Sequence, residues 1–514
     1  MKVRIILIAF ALLYVNIGMA QIPNQVKERI TQLVLDLDKL RGTSEIEKKV
    51  KAFVKQAPNE EMKKNVLQLM IEKSNSAKVK AVLQAELEGT KDVKPSEEGN
   101  YILLKNATII DVVSDQGRKG NLLIKDARIE TIDFSGAIEV PQGAMSYDLN
   151  GKYIIPGLID AHVHITHGTL KDTQEDLHLA LKHGITGVRD MGGDGRILTV
   201  LQKNMKIGEE IGADVFFSTI IAGPEFFAGD PRPQQVAKGA IAGEVPWQRA
   251  ITRNSDLKQI VAEAKGLGVT AIKVYDSVDK DLFRKVAAEA KRQGLKVWSH
   301  AVVPPTKAID ITNGGSDVMS HAGDMVEYEF MKGDLKGRHS FTSKEDRNAY
   351  RKKLKNVNWD ENSPKVKQLF TAMKKNNSIL DATLFVYYHK LDSPTITPDS
   401  TRYKSAMKSV SIAHEMGVKI GAGSDHMITK GEYGKIIINI HKELELLVEA
   451  GLSPLEALRA ATIINAEGLG EEKDIGTIEE GKLANLVILN ANPLEDITNT
   501  QQIKLVIKRG KLIF

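Results

Sequence analysis

The sequence predicts an α/β protein: a (β/α)8 (TIM) barrel, a small composite β-sandwich built from the segments on either side of it, and a helical N-terminal extension. Three observations lead there. Eight short apolar segments alternate with helical ones across residues 156–471, the pattern of βα units around a parallel sheet. Strand texture recurs on both flanks, at 99–155 and 472–514, so the flanks pair as one unit. Residues 21–98 carry apolar residues at helical spacing only. A doubly wound open sheet is the competing architecture for the same alternation.

Composition narrows the function. A chain of 514 residues exceeds one core, and 42% hydrophobic residues exclude disorder as its main state. The absence of cysteine excludes a disulfide scaffold, a thiol nucleophile, an iron–sulfur cluster and a thiolate zinc site. Against 66 acidic residues stand 71 basic ones, a balance too mild for a nucleic-acid partner. All 12 histidines lie between His162 and His441, which confines any transition-metal site to that interval, with nitrogen and oxygen ligands.

The chain opens with Lys2 and Arg4 ahead of an apolar run at 5–15, too short for the roughly 20 residues of a bilayer span. Gly18 and Ala20 then form a small-residue cleavage site, so residues 1–20 are expected to be a signal peptide. The mature protein is expected to be exported, periplasmic or extracellular, with no integral membrane segment. In the extension, Ile30, Leu33, Val34, Leu37 and Leu40 mark a first helix. Ile46, Val50, Phe53 and Val54 mark a second behind a capping box of Ser44 and Glu47. Met62, Val66, Leu69 and Met70 mark a third, and Val79, Leu83 and Leu87 a fourth. A linker at 94–100 precedes strands at 102–104, 108–112, 122–124 and 129–132, which 486–489, 504–507 and 511–514 complete.

The barrel strands are expected at 158–160, 186–190, 215–221, 271–275, 296–299, 317–320, 380–385 and 419–423. Helices at 174–182, 256–266, 280–293 and 404–416 lie between several of them. The interval is longer than the roughly 250 residues typical of the fold. The surplus is assigned to the charged stretch 327–375, read as a lid or surface excursion.

Barrel active sites form at the C-terminal strand ends. Strand one ends Asp160-Ala161-His162-Val163-His164, and residues two apart share a face, so both imidazoles point into the mouth. Strands five and six end in Ser-His-Ala at His300 and His321, and strand eight ends at Asp425. Such a donor set suits Zn2+, with Mn2+ or Fe2+ less specific. Strand four turns Lys273 and Tyr275 inward. An ammonium facing cations is repelled and poorly solvated. Three resolutions stay open: an ion pair with Asp425, a neutral amine, or a carbamate able to bridge two metals.

Tyr275, His389 and His426 are candidate substrate contacts, and His167 a further pocket candidate. His178, His183, His339, His414 and His441 read as surface or capping groups. The glycines of 192–195 read as a flexible loop, and neither a GxSxG elbow nor a P-loop is present.

The stretch 157–164 (GLIDAHVH) resembles the opening signature of the amidohydrolase superfamily; 455–462 (LEALRAAT) and 481–489 (GKLANLVIL) resemble its C-terminal one. The similarity covers roughly 100–514 and is nearest to the imidazolonepropionase-like and prolidase-like group. It implies that His162, His164 and Asp425 hold one metal, that His300 and His321 hold a second, and that a carbamylated Lys273 bridges them. It also implies metal-dependent cleavage of an amide C–N bond by metal-bound hydroxide, with Asp425 as the catalytic base. The substrate it implies is a dipeptide or an N-acyl amino acid. Ser320 stands where glutamate is frequent, and Asn485 where aspartate is common. A mononuclear cyclic amidohydrolase is the enzyme alternative, and a non-catalytic metal-containing peptide-binding protein the other. Homo-oligomers are compatible with such barrels.

Overall fold

The computed structural model describes residues 24–38, 46, 49–51, 53, 60–74, 76–88 and 100–513, the last stretch apart from 167, 324, 334, 338–339, 342, 390–399 and 426–438. The expected signal peptide lies outside these residues. Among them, no helix is long and apolar enough to cross a membrane.

The barrel strands are β1 (Leu158–Val163), β2 (Ile185–Asp190), β3 (Asp214–Ala222), β4 (Ala271–Val274), β5 (Lys296–His300), β6 (Val318–Ser320), β7 (Ile379–Asp381) and β8 (Ile420–Gly421). Each pairs in parallel with the next in chain order. Backbone bonds close the seam between β8 and β1: Ala161 N donates to Ala422 O (3.1 Å), and Asp425 N to His162 O (2.9 Å). The Asn465 amide spans the same seam, donating to Ile159 O (2.8 Å) and Ala422 O (2.7 Å). Every residue of β1 and β2 is buried, because packed side chains cover both faces of the sheet. A representative outer helix, Lys280–Arg292, starts where the Asp279 carboxylate accepts from the Asp281 and Leu282 amides. It turns Leu282, Phe283, Val286, Ala287 and Ala290 inward at helical spacing.

The flanks join as expected. Leu486–Leu489 runs antiparallel to Tyr153–Pro156 within one eight-stranded sheet. The strand Arg128–Asp133 returns to the stretch before Leu486, with Ile129 N donating to Lys482 O (2.9 Å) and Gly481 N to Ile129 O (2.8 Å). The sheet therefore curls around Ile102, Leu104, Ile124, Ile154, Ile488 and Ile507. In the extension, the helices Asn24–Asp38, Glu60–Lys73 and Ala77–Glu88 bring Ile30, Val34, Leu67, Met70, Val79 and Leu83 into one core with Ile46 and Val50.

Lys508 ties the β unit to the barrel. Its buried ammonium donates to Thr186 O (2.7 Å) and Asp214 Oδ2 (2.5 Å), and Arg509 reaches the same carboxylate at 3.0 Å. Removing one partner of a buried pair strands the other charge. Asp214→Ala is therefore expected to lower the unfolding free energy by about 3–5 kcal/mol, read from urea melts. A loss below about 1 kcal/mol would show that water compensates Lys508.

Three expectations change. Within 327–375, Pro364–Lys375 is an ordinary barrel helix, burying Val366, Leu369, Phe370 and Met373 against Ala308–Asn313. Its lysine-rich outer face made it read as part of a surface excursion. Further surplus sits between β3 and β4, in the helices Pro224–Gly229 and Pro231–Ala237 and the hairpin Glu244–Val245 with Gln248–Ala250, which adds beside β3. Finally, β7 stops at Asp381 rather than running to 385, because the helix Leu384–His389 begins there. The buried Glu443 carboxylate accepts from the Leu384 and Phe385 amides (3.0 and 2.6 Å), a tertiary cap absent from the local sequence.

Candidate metal centre

The expected ligands converge at the C-terminal mouth of the barrel. Asp425 lies among three imidazoles: His162 Nε2 and His164 Nε2 are both 3.3 Å from its Oδ1, and His321 Nδ1 is 3.9 Å from its Oδ2. The His300 ring is 4.8 Å from that of His321. His321 (φ +78°) and Asp425 (φ +51°) have left-handed backbones, as does Thr383 (φ +49°) beside them. Such backbones cost about 1 kcal/mol or more and persist only where the surroundings enforce them. Here the bonds from His321 N to Asp381 O (3.0 Å) and from Asp425 N to His162 O hold them.

Charge follows burial. Burial alone would raise the Asp425 carboxyl, but His162, His164 and His321 hold it well below the usual carboxylate range. Burial keeps His162, His300 and His321 below the usual imidazole value, so neutral rings face an ionised carboxylate. Donor atoms of His162, His321 and Asp425 all lie within 4.8 Å of one another. Neutral imidazoles around a carboxylate are the donor set of a borderline divalent cation, so these residues fit one.

Lys273 is fully buried on β4. Its amine donates to Ser299 O (3.0 Å) and Ser320 Oγ (3.1 Å) rather than pairing with Asp425. Burial and the nearby Arg189 push it well below the ordinary lysine value. Of the three resolutions, the ion pair is absent among the described contacts. Tyr275 lies 3.9 Å from the His300 ring and helps to line a cavity of about 260 Å³ with Tyr328, Tyr387, Arg232 and Arg402. A smaller apolar recess of about 70 Å³ adjoins it beside His164, walled by Ile220, Phe226, Pro233 and Val236.

His389 ends the helix Leu384–His389, but its side chain lies outside the described residues, as do His426, His167 and His339. His441 is buried, contrary to its reading as a surface or capping group. Its Nδ1 meets Thr500 Oγ1 (2.9 Å) and its Nε2 His183 O (3.1 Å), so both polar atoms are satisfied internally.

Sequence reasoning missed a layer beneath the ligands. Asp381 Oδ2 contacts His162 Nδ1 and Arg189 Nη2, each at 2.8 Å. Arg189 also donates to Ala161 O and lies against the Trp298 ring. Burial would raise the Asp381 carboxyl, yet Arg189 and His162 hold it at about 2. Asp160 accepts from Ser424 N (2.9 Å), Ser424 Oγ (2.7 Å) and His162 N (3.1 Å). Burial lifts it to about 7. The available signal was an ionisable residue inside an apolar strand: Arg189 in 185–190 and Asp381 after Leu380.

Residues 153–513 match the Amidohydrolase family. Adenine deaminase from Methanoregula boonei is 41% identical over 87 residues, covering 17% of this chain and 14% of its own. Adenine deaminase from Oceanobacillus iheyensis is 23% identical over 434 residues, covering 82% of this chain. The chain thus spans 14% and 57% of the lengths of these two curated relatives. Among solved structures, a Xaa-Pro dipeptidase with methionine bound in its active site superposes with a TM-score of 0.61 at 22% identity, covering 80% of this chain and 100% of its own. That likeness shows the fold: a (β/α)8 barrel with an additional β unit. The chain belongs to the Amidohydrolase family.

Proposed function

We propose that the protein is a metal-dependent amidohydrolase cleaving the amide C–N bond of a dipeptide or an N-acyl amino acid. The observation that carries this reading is an ionised Asp425 held among three imidazoles, at a cavity also lined by two guanidinium groups. A divalent ion bound by His162, His164, His321 and Asp425, with Zn2+ the first choice, would supply an activated water and polarise the scissile carbonyl. Asp425 accepts the attacking proton and returns it to the leaving nitrogen. The Tyr275 hydroxyl, kept protonated by burial, is a donor for the developing oxyanion. Arg402, whose guanidinium lies over the Tyr387 ring, pairs with the substrate carboxylate, and the apolar recess takes a small side chain. The buried amine of Lys273, uncharged, is nucleophilic toward carbon dioxide. The Ser320 hydroxyl is a donor for a carbamate oxygen, and such a carbamate with His300, drawing His321 away from the first ion, would complete a second metal site. The Xaa-Pro dipeptidase likeness favours a dipeptide. Signal cleavage after Ala20 would deliver the enzyme outside the cytoplasm.

The test is a screen of the protein reconstituted with Zn2+, Mn2+ or Fe2+ against dipeptides, Xaa-Pro included, and N-acyl amino acids. Turnover of a carboxylate-bearing amide, lost on chelation and restored by metal, is expected. Activity confined to ring amides would favour the mononuclear cyclic amidohydrolase, and tight binding without turnover a peptide-binding protein; either overturns the reading. For Arg402→Gln, KM toward carboxylate-bearing substrates is expected to rise about tenfold to a hundredfold with kcat nearly unchanged. An unchanged KM would remove Arg402 from substrate recognition.

A further inference from the structure

β7 contributes none of the residues to which the proposed function gives a direct metal or substrate role. Its end nevertheless touches two of them from behind. Asp381 Oδ2 lies 2.8 Å from His162 Nδ1, and Thr383 Oγ1 lies 2.9 Å from His321 Nδ1. Both partners are fully buried, so neither contact is shared with bulk solvent. The backbone reinforces the arrangement, since Asp381 O accepts from the amide of His321 itself.

We infer that Asp381 and Thr383 are positioning residues: Asp381 fixes the tautomer of His162, keeping its Nδ1 proton turned backward and its Nε2 lone pair turned toward Asp425 and the cation, and Thr383 holds the His321 ring in place. The inference rests on the metal-dependent reading and adds to it the residues that make the donor set selective. A neutral imidazole has one proton and one lone pair, so whichever nitrogen is bonded from behind decides which is left to ligate. A carboxylate can only accept, which holds the His162 proton on Nδ1 and makes Nε2 more electron-rich. Arg189 is the counter-charge that makes this affordable. Its guanidinium bonds the same Asp381 oxygen at 2.8 Å, so the buried carboxylate stays ionised without drawing on the metal. Thr383 holds the His321 ring without charge: its hydroxyl can accept from or donate to Nδ1, so it sets the ring's place rather than its tautomer.

The arrangement explains a feature of the mouth that the ligands alone do not. Thr383 has a left-handed backbone, as does His321, which it supports. The chain turns out of β7 sharply enough to bring residues 381 and 383 beneath two different strand ends. An extended continuation to 385 would have left residues 381 and 383 side by side on one face of the strand.

The experiment uses the full-length protein stripped of metal. Zn2+ affinity is measured by competition with a chromophoric chelator, and the visible spectrum of the Co2+-loaded protein reports ligand geometry. Asp381→Asn is expected to weaken Zn2+ binding by about 10–100-fold, and Thr383→Val by about tenfold, the usual cost of losing a partner behind a metal-ligating histidine. Both should shift the Co2+ bands; the metal-free melting temperature of Thr383→Val stays within a few degrees of the parent, whereas Asp381→Asn, which leaves Arg189 without its counter-charge, melts lower. Should Asp381→Asn fail to fold, Thr383→Val decides alone, since it exchanges a hydroxyl for a methyl of the same shape. Zn2+ affinities within twofold of the parent, with unaltered Co2+ spectra, overturn the assignment. If the parent protein itself takes up neither ion, the metal-dependent reading falls instead, so the two failures are distinguishable.

Discussion

Asp425→Asn is expected to reduce kcat/KM by about 10²–10⁴-fold while leaving the fold intact. The substitution is nearly isosteric, and asparagine tolerates the left-handed backbone at φ +51° better than most residues. The bond from the residue 425 amide to His162 O, which closes the barrel seam, does not involve the side chain. What changes is charge. The carboxylate is the anionic member of a cluster otherwise made of imidazoles, and an amide neither accepts a proton from water nor balances a divalent cation. Steady-state kinetics with the best substrate from the screen, together with a thermal melt, separate loss of chemistry from loss of structure. Undiminished activity would reject Asp425 as the base.

The second large effect concerns Lys273. If its carbamate bridges two ions, elemental analysis of protein reconstituted in bicarbonate finds two metals per chain. Lys273→Ala and Lys273→Met are then expected to retain one and to lose at least about 100-fold in rate. The methionine variant guards against a packing artefact, because it fills the same buried volume without an amine that burial disfavours as a cation. In the alanine variant, short carboxylic acids in the buffer should restore part of the activity by occupying the vacated space. One metal in the parent with both variants fully active would sink the bridged binuclear arrangement.

Much of this architecture is visible in local periodicity. His162 and His164 share a face because strand side chains alternate, and the Ser-His-Ala endings of β5 and β6 follow apolar runs that can only be buried strands. The pairing of the two flanks is also legible, since strand texture without a partner on either side of a barrel leaves apolar edges that must meet. The boundary of β7 was not legible. Apart from Asp381, nothing in Leu380 to Phe385 marks the end of a strand. Glu443, nearly sixty residues later, supplies the carboxylate that starts a helix instead. The lysines of Pro364–Lys375 likewise disguised a barrel helix, because its buried face is only four residues wide.

By itself the sequence determined the repeating βα frame, the absence of sulfur chemistry and the gathering of four histidines and an aspartate at one barrel mouth. All of these follow from short-range pattern and from the rule that strand ends converge. Only the tertiary structure decided what stands behind the ligands. The Arg189–Asp381 pair, the Thr383 contact and the acceptors of the Lys273 amine join residues tens to hundreds of positions apart. A buried charge is tolerable only beside its compensating partner, and that partner is chosen by the closure of the barrel rather than by its neighbours in the chain.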